Sequence, residues 1–123
     1  MICGRASSEL LRHGVPGDGL DELAEWHATA ARAAEESLTQ LRALPPPADQ
    51  ALPDHFYAAA EHVIDLLRRT AVAARAGDGR RARTLAFMRI GATHEKDRVA
   101  DRLSARWHLD PAFLQACPLM LPA

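Results

Sequence analysis

Two short breaks cut most of this chain into long segments, and these segments constrain the fold more than any other feature. The breaks are Pro45-Pro46-Pro47 and Gly77-Asp78-Gly79. Proline lacks the amide donor that a helix interior needs, and glycine commonly follows the last turn of a helix. Between the breaks, apolar residues recur at the three-and-four spacing of a helix face, and no segment alternates as a strand does. The sequence therefore predicts an all-α fold.

The predicted helices form one domain that spans residues 1–123. Three long helices are expected, from Asp18 or Asp21 to Leu44, from about Pro53 to Gly77, and from Arg80 to about His108. A short helix precedes them from about Cys3 to His13, and a short helical turn follows Asp110. Short connections make consecutive helices antiparallel neighbours. We therefore predict an up-and-down four-helix bundle with one short N-terminal helix, three long helices and a short C-terminal helical turn.

Each long segment carries a stripe of residues that we expect to face the core. The first stripe is Leu20, Leu23, His27, Ala30, Ala34, Leu38 and Leu41. The second is Phe56, Ala60, Val63, Leu67, Ala71 and Ala74. The third is Leu85, Met88, Ala92, Glu95, Val99 and Leu103. Two ionisable residues, His27 and Glu95, interrupt these otherwise apolar stripes, which makes them candidates for function.

The charge of the chain argues against nucleic acid as a partner. Fifteen basic residues stand against sixteen acidic ones, so the formal net charge of −1 provides no overall basic field to hold a polyanion. No stretch reaches the roughly 18 consecutive apolar residues of a transmembrane helix. Lys96 is the only lysine among the fifteen basic residues. This bias towards arginine is typical of a high-GC bacterial genome, and we attach no function to it.

One layer of the predicted bundle collects imidazole and carboxylate groups. Counting the helical rise from the two breaks brings His62 level with His94 and Glu95, and with Glu36 on the preceding helix. Such ligands suit a divalent metal, namely zinc, iron or manganese, and bundle cores can hold it. However, neither a Glu-x-x-His nor a His-Glu-x-x-His motif occurs. The simpler interpretation places His62 and His94 on the surface, paired with nearby carboxylates, and assigns no cofactor.

A second candidate site lies around His27, with Trp26 beside it and Glu95 on the facing helix. These side chains could line a ligand pocket at one edge of the bundle. His27 and Glu95 could also act as an acid–base pair, although the same counting places them at different heights. The alternative is that Trp26 seals the bundle and that His27 is a buried histidine hydrogen-bonded to a neighbour such as Thr70.

Two cysteines, Cys3 and Cys117, lie near opposite ends of the chain. A disulfide between them would close a very long loop and remove much of the entropy of the unfolded chain. Two free, buried thiols that behave as small apolar groups are the alternative. The residues alone leave both states open.

Several short segments together resemble a known group of proteins. They are Met1-Ile2-Cys3-Gly4-Arg5-Ala6, the break from Leu41 to Ala48, Ala76-Gly77-Asp78, and Cys117 after the last long helix. In these segments the chain resembles exported actinobacterial helical proteins and lipoproteins of unknown function. The resemblance implies export and a terminal cysteine pair. No apolar run precedes Cys3, so lipid anchoring does not follow, and the polar start at Met1 to Arg5 also fits a cytoplasmic protein.

The sequence analysis leads to a functional class and not to a named activity. We expect a binding or interaction module that takes a protein or small-molecule partner and that can form a homodimer. A small enzyme that uses histidine and glutamate for acid–base or metal chemistry is the first alternative. A structural or sensory helical domain is the second.

Overall fold

The computed structural model describes residues 19–43 and 51–107, with side chains for 19–43 and 54–102. Three helices account for almost all of these residues: α1 (Leu20–Arg42), α2 (Ala51–Arg75) and α3 (Gly79–Trp107). No strand occurs within the described ranges. The all-α helical bundle is therefore confirmed. The predicted short first helix, the C-terminal turn and both cysteines, Cys3 and Cys117, lie outside the described residues.

The helix ends fall within about two residues of the predicted ones, and the proline near the start of α2 explains one difference. Pro53 is the third residue of α2, where the amide groups of the first turn have no partner within the helix. The missing amide of proline therefore costs little there, and α2 begins at Ala51.

The connection between α2 and α3 is set by two residues. Gly77 has a φ of 78° and follows the end of α2. Its N–H donates to the carbonyl of Ala74, and the N–H of Asp78 donates to the carbonyl of Ala73, the pattern of a Schellman C-cap. Oδ1 of Asp78 then accepts a hydrogen bond from the N–H of Arg81 at 3.0 Å, which is the arrangement of a helix N-cap. This two-ended cap fixes α3 against α2.

The core forms where α2 packs against both α1 and α3. Alanine supplies many of the buried positions, which allows close approach of the helices. The largest buried apolar side chains are on α2 and include Phe56, Leu66 and Leu67. The predicted stripe of α2 is buried throughout, as are His27, Ala30, Ala34 and Leu38 of the stripe of α1. None of the helices in the described ranges combines the length and the apolar character that crossing a bilayer requires.

The predicted core stripe of α3 is wrong at two positions. Leu85, Ala92 and Val99 are buried as expected, but Met88 and Glu95 are exposed. The neighbouring residues Arg89 and Lys96 occupy the core face instead. Both series keep the three-and-four spacing, and the long aliphatic stems of arginine and lysine can fill interior space as methionine does. The side chain of Leu103 lies outside the described residues.

Candidate functional site

Three basic side chains lie inside the bundle, and we refer to His27, Arg89 and Lys96 as the basic cluster. His27 comes from α1, whereas Arg89 and Lys96 come from α3. Their exposed fractions are 2%, 9% and 0%, respectively. Arg89 and Lys96 are two helical turns apart and therefore share one side of α3. Lysine and arginine are rarely buried to this extent, so the cluster is an unusual feature of the described fold.

Lys96 has only a partial counter-ion among the described residues. Its Nζ lies 3.4 Å from Oδ1 of Asp97, and neither atom has a hydrogen-bond partner within the described ranges. Asp97 follows Lys96 directly on the helix, so it points about 100° away, and its side chain is 42% exposed. Burial lowers the pKa of Lys96 from 10.5 to about 8, although Asp97 acts in the opposite direction. The ammonium group is thus only partly compensated.

Arg89 is the member of the basic cluster whose charge acts on both of the others. Its Nη1 donates to Oγ1 of Thr93 at 3.4 Å, and its guanidinium carbon lies 5.9 Å from the ring centroid of Trp26. Burial lowers the pKa of Arg89, which nevertheless keeps its charge at neutral pH. The positive charge of Arg89 in turn lowers the pKa of both His27 and Lys96. The three groups therefore share one electrostatic environment.

His27 provides an acceptor beside these donors. Its Nδ1 lies 2.8 Å from the carbonyl oxygen of Leu23, one turn earlier on α1. A carbonyl can only accept, so Nδ1 carries the proton. Burial lowers the pKa of His27, and the nearby charge of Arg89 adds to this effect, while the bond to Leu23 opposes it. In the neutral ring Nε2 is then an acceptor, and it has no hydrogen-bond partner among the described residues.

The residues predicted for ligand binding are only partly brought together. Trp26 and His27 are in contact, with ring centroids 5.0 Å apart in an edge-to-face arrangement. The expected bond between His27 and Thr70 is not formed, because the hydroxyl of Thr70 donates to the carbonyl of Leu66 at 2.7 Å. Glu95 does not join the site. It is exposed and forms an ion pair with Arg98 at 2.7 Å.

The predicted metal ligands are dispersed over the surface. His62, His94, Glu95 and Glu36 are all exposed. In the part of the chain that the structure describes, no group of three or more His, Cys, Asp or Glu side chains is arranged to hold a metal ion. The buried arc of α2 passes through Val63 and Leu66, so His62 turns outward. The layer predicted for zinc, iron or manganese is therefore not assembled there.

The basic cluster contains two residues that the sequence analysis did not select. One signal was available, because Lys96 is the only lysine in a chain whose other fourteen basic residues are arginine. Against this bias towards arginine, the single lysine marks a position worth examining. Together the cluster offers an ammonium group, a guanidinium group and a neutral imidazole acceptor, which is a combination suited to an acidic ligand.

Comparison of the chain with protein-family models, with curated proteins and with solved structures found no match in any of the three.

Proposed function

We propose that this protein is a ligand-binding helical bundle, and that its ligand carries a carboxylate or phosphate group that pairs with Lys96. The observation that carries the proposal is the ammonium group of Lys96, which is fully buried and has only Asp97 as a partial counter-ion among the described residues. A small acidic ligand would supply the partner that the described residues do not provide.

The energetics of a buried charge support this proposal. Moving an ammonium group out of water costs several kcal/mol even after the protein relaxes around it. The whole folding free energy of a domain is only about 5–15 kcal/mol. An apolar side chain at position 96 would avoid this cost, so the lysine opposes stability. Strongly perturbed ionisable groups in an interior are typical of functional sites.

The neighbours of Lys96 define what else the ligand should carry. Arg89 adds a second cation, and the unpartnered Nε2 of His27 can accept a hydrogen bond from a hydroxyl or an N–H group. Trp26 presents an aromatic ring beside both His27 and Arg89. These features support a small acid that also has a hydrogen-bond donor, because such a molecule would complement both the cations and the imidazole.

The test is a thermal-unfolding screen at pH 7 with sodium salts of phosphate, acetate, citrate and benzoate at matched ionic strength. A bound ligand stabilises the folded state by mass action, and about 2.7 kcal/mol is expected at a hundredfold excess over Kd. We expect at least one salt to raise the midpoint by several degrees in the wild type and in Arg98→Met, but not in Lys96→Met. Arg98 is the matched control because it is an exposed cation on the same helix. An equal response from Lys96→Met would contradict the proposal.

A second candidate function is self-association through the outer face of α3. Phe87 is 76% exposed and Met88 is 48% exposed, which is unusual for side chains of this size. Gly91 lies one turn further, and space around its Cα is open. This surface supports the homodimer that the sequence left open. Sedimentation equilibrium of the wild type and Phe87→Glu tests it, because only the wild type should form dimers.

The finer predictions from the sequence remain proposals. We propose that the segment from Cys3 to His13 completes a four-helix bundle and that the chain is exported with Cys3 and Cys117 paired. The burial pattern of α1 supports a further neighbour for that helix, because Thr29, Ala33 and Ala24 are all buried although they are spread around more than a third of its circumference. Mass determination under non-reducing and reducing conditions after thiol alkylation tests the pairing.

A further inference from the structure

The exposed arginines are concentrated at one pole of the bundle, independently of the basic cluster inside it. Between Leu66 and His94 the sequence holds seven arginines, and Asp78 is the only acidic residue. Arg89 is buried, and the other six are exposed around the turn that joins α2 to α3: Arg68, Arg69, Arg75, Arg80, Arg81 and Arg83. The chain as a whole has a net charge of −1. The surface that α2 and α3 present at this turn is therefore rich in positive charge, and we refer to it as the basic pole. The acidic residues Asp21 and Glu22 border it, because they stand in the first turn of α1, whose Leu20 packs against Gly79.

Only part of this positive charge is compensated. Arg68 is bonded to Glu35, and Arg69 lies 3.6 Å from Asp65. The carboxylate of Asp78 is engaged by the N–H of Arg81 as a helix cap. The four remaining guanidinium groups form no ion pair with any described residue: those of Arg75, Arg80, Arg81 and Arg83. An excess of fixed positive charge on one side attracts and orients an anionic partner.

A groove of about 320 Å³ opens within this basic pole. Its apolar lining comes from Val72, Ala73 and Ala76, and its charged lining comes from three arginines and one carboxylate, namely Arg68, Arg69, Arg81 and Asp78. Val72 is 66% exposed, so the groove leaves apolar surface in contact with water. The occupant that matches these properties has an apolar side chain next to acidic ones.

We infer that this groove binds an acidic peptide segment of a partner protein, with an apolar side chain against Val72 and a carboxylate on Arg81. We choose an acidic partner because its negative charge would complement the arginines around the groove. The concave shape suits an inserted side chain, whereas a membrane surface is met by protruding apolar residues. Among the described residues, no aromatic side chain lines the groove to stack on bases, which argues against a single-stranded nucleic acid.

The test measures binding of a fluorescently labelled peptide of alternating Glu and Leu to the full chain, by fluorescence anisotropy at low salt. The matched peptide has Gln in place of Glu. We expect the acidic peptide to bind the wild type, the Gln peptide to bind at least tenfold more weakly, and affinity to fall as sodium chloride is raised to 0.5 M. Arg81→Ala and Val72→Asp should each weaken binding about tenfold, whereas the control Arg98→Ala should leave it unchanged. Circular dichroism verifies that each variant is folded.

Two further arms distinguish the other anionic partners. A labelled twelve-nucleotide oligothymidine and vesicles that contain phosphatidylserine are titrated under the same conditions. Weaker binding of both than of the peptide is the expected result. The inference is overturned if the acidic peptide does not bind, if Arg81→Ala and Val72→Asp bind it as the wild type does, or if either alternative binds more tightly.

Discussion

Replacing Lys96 by methionine should stabilise this protein at neutral pH, although lysine is at the centre of the proposed site. Methionine is an unbranched side chain one heavy atom shorter than lysine, and it carries no charge. A pKa that falls from 10.5 to about 8 means that folding is opposed whenever the lysine is charged. Each unit by which the pKa is lowered corresponds to about 1.4 kcal/mol, so this opposing free energy is roughly 3 kcal/mol at pH 7. We expect Lys96→Met to recover a large part of it.

The same reasoning predicts how stability depends on pH. Between about pH 8 and 10.5 the unfolded chain still holds a proton that the folded protein has released. Raising the pH through this range therefore favours the folded state. Below about pH 8 both states hold the proton, and above 10.5 both have lost it, so the effect is confined to this window. The wild type should gain roughly 2 kcal/mol between pH 7 and 9.5 relative to Lys96→Met.

Urea unfolding followed by circular dichroism at several pH values from 7 to 9.5 measures both quantities. The difference between wild type and variant isolates Lys96, because all other groups titrate in both proteins. Arg98→Met is the control, since an exposed ion pair contributes at most about 1 kcal/mol and should not change the pH dependence. The reasoning is refuted if the wild type and Lys96→Met show the same pH dependence, or if the variant is several kcal/mol less stable at pH 7.

Three further predictions concern the same described residues. Burial lowers the pKa of His27, so the unfolded chain takes up a proton at a higher pH than the folded protein does, and stability should be lost as the pH falls below about 6.5. Urea unfolding at pH 7 and 5 should show a smaller loss in His27→Gln but not in the control His94→Gln, an exposed histidine. Alanine at Gly77, where φ is 78°, should destabilise by about 1 kcal/mol, whereas alanine at the open, helical Gly91 should stabilise by about 0.5–1 kcal/mol; thermal unfolding that gives both changes the same sign would contradict this account. Asp78→Ala removes the cap of α3 and should cost about 1 kcal/mol in chemical unfolding, while an unchanged midpoint would show that the cap is dispensable.

The helices could be predicted from the sequence because local chemistry determines them. Three prolines in a row, and Gly77 followed by Asp78, end and begin helices through backbone geometry and capping alone. The stripe of α2 was predicted correctly because nearly every buried position of that helix is apolar, and no other face of the helix is mainly apolar. For these features no knowledge of the tertiary structure was needed.

The face of α3 could not be predicted in the same way. Two stripes share Leu85, Ala92 and Val99, and they differ in whether the intervening positions are 88 and 95 or 89 and 96. Apolar content favours the first, which has Met88, over the second, which has two cations. Packing against α2 and the length of the arginine and lysine stems decide for the second. Hydrophobicity therefore favours the wrong face of α3, because two cations lie in the core there.

The hydrogen-bond partners of the buried polar side chains could not be predicted from the sequence. The burial of His27 follows from its place in an apolar stripe. Its partner is the carbonyl of Leu23, and a carbonyl one turn earlier is available to any helical histidine. The hydroxyl of Thr70 was an equally reasonable candidate until the structure showed it bonded to Leu66.

The most direct test of the central claim is an NMR titration of protein labelled with ¹³C at the Cε of lysine. Lys96 is the only lysine, so a single resonance reports its protonation without any assignment. The account predicts a pKa of about 8, and a rise of that pKa when an acidic ligand from the thermal screen is bound. A resonance that titrates at or above 10.5, with or without ligand, would show that Lys96 is solvated or fully paired and would contradict the account.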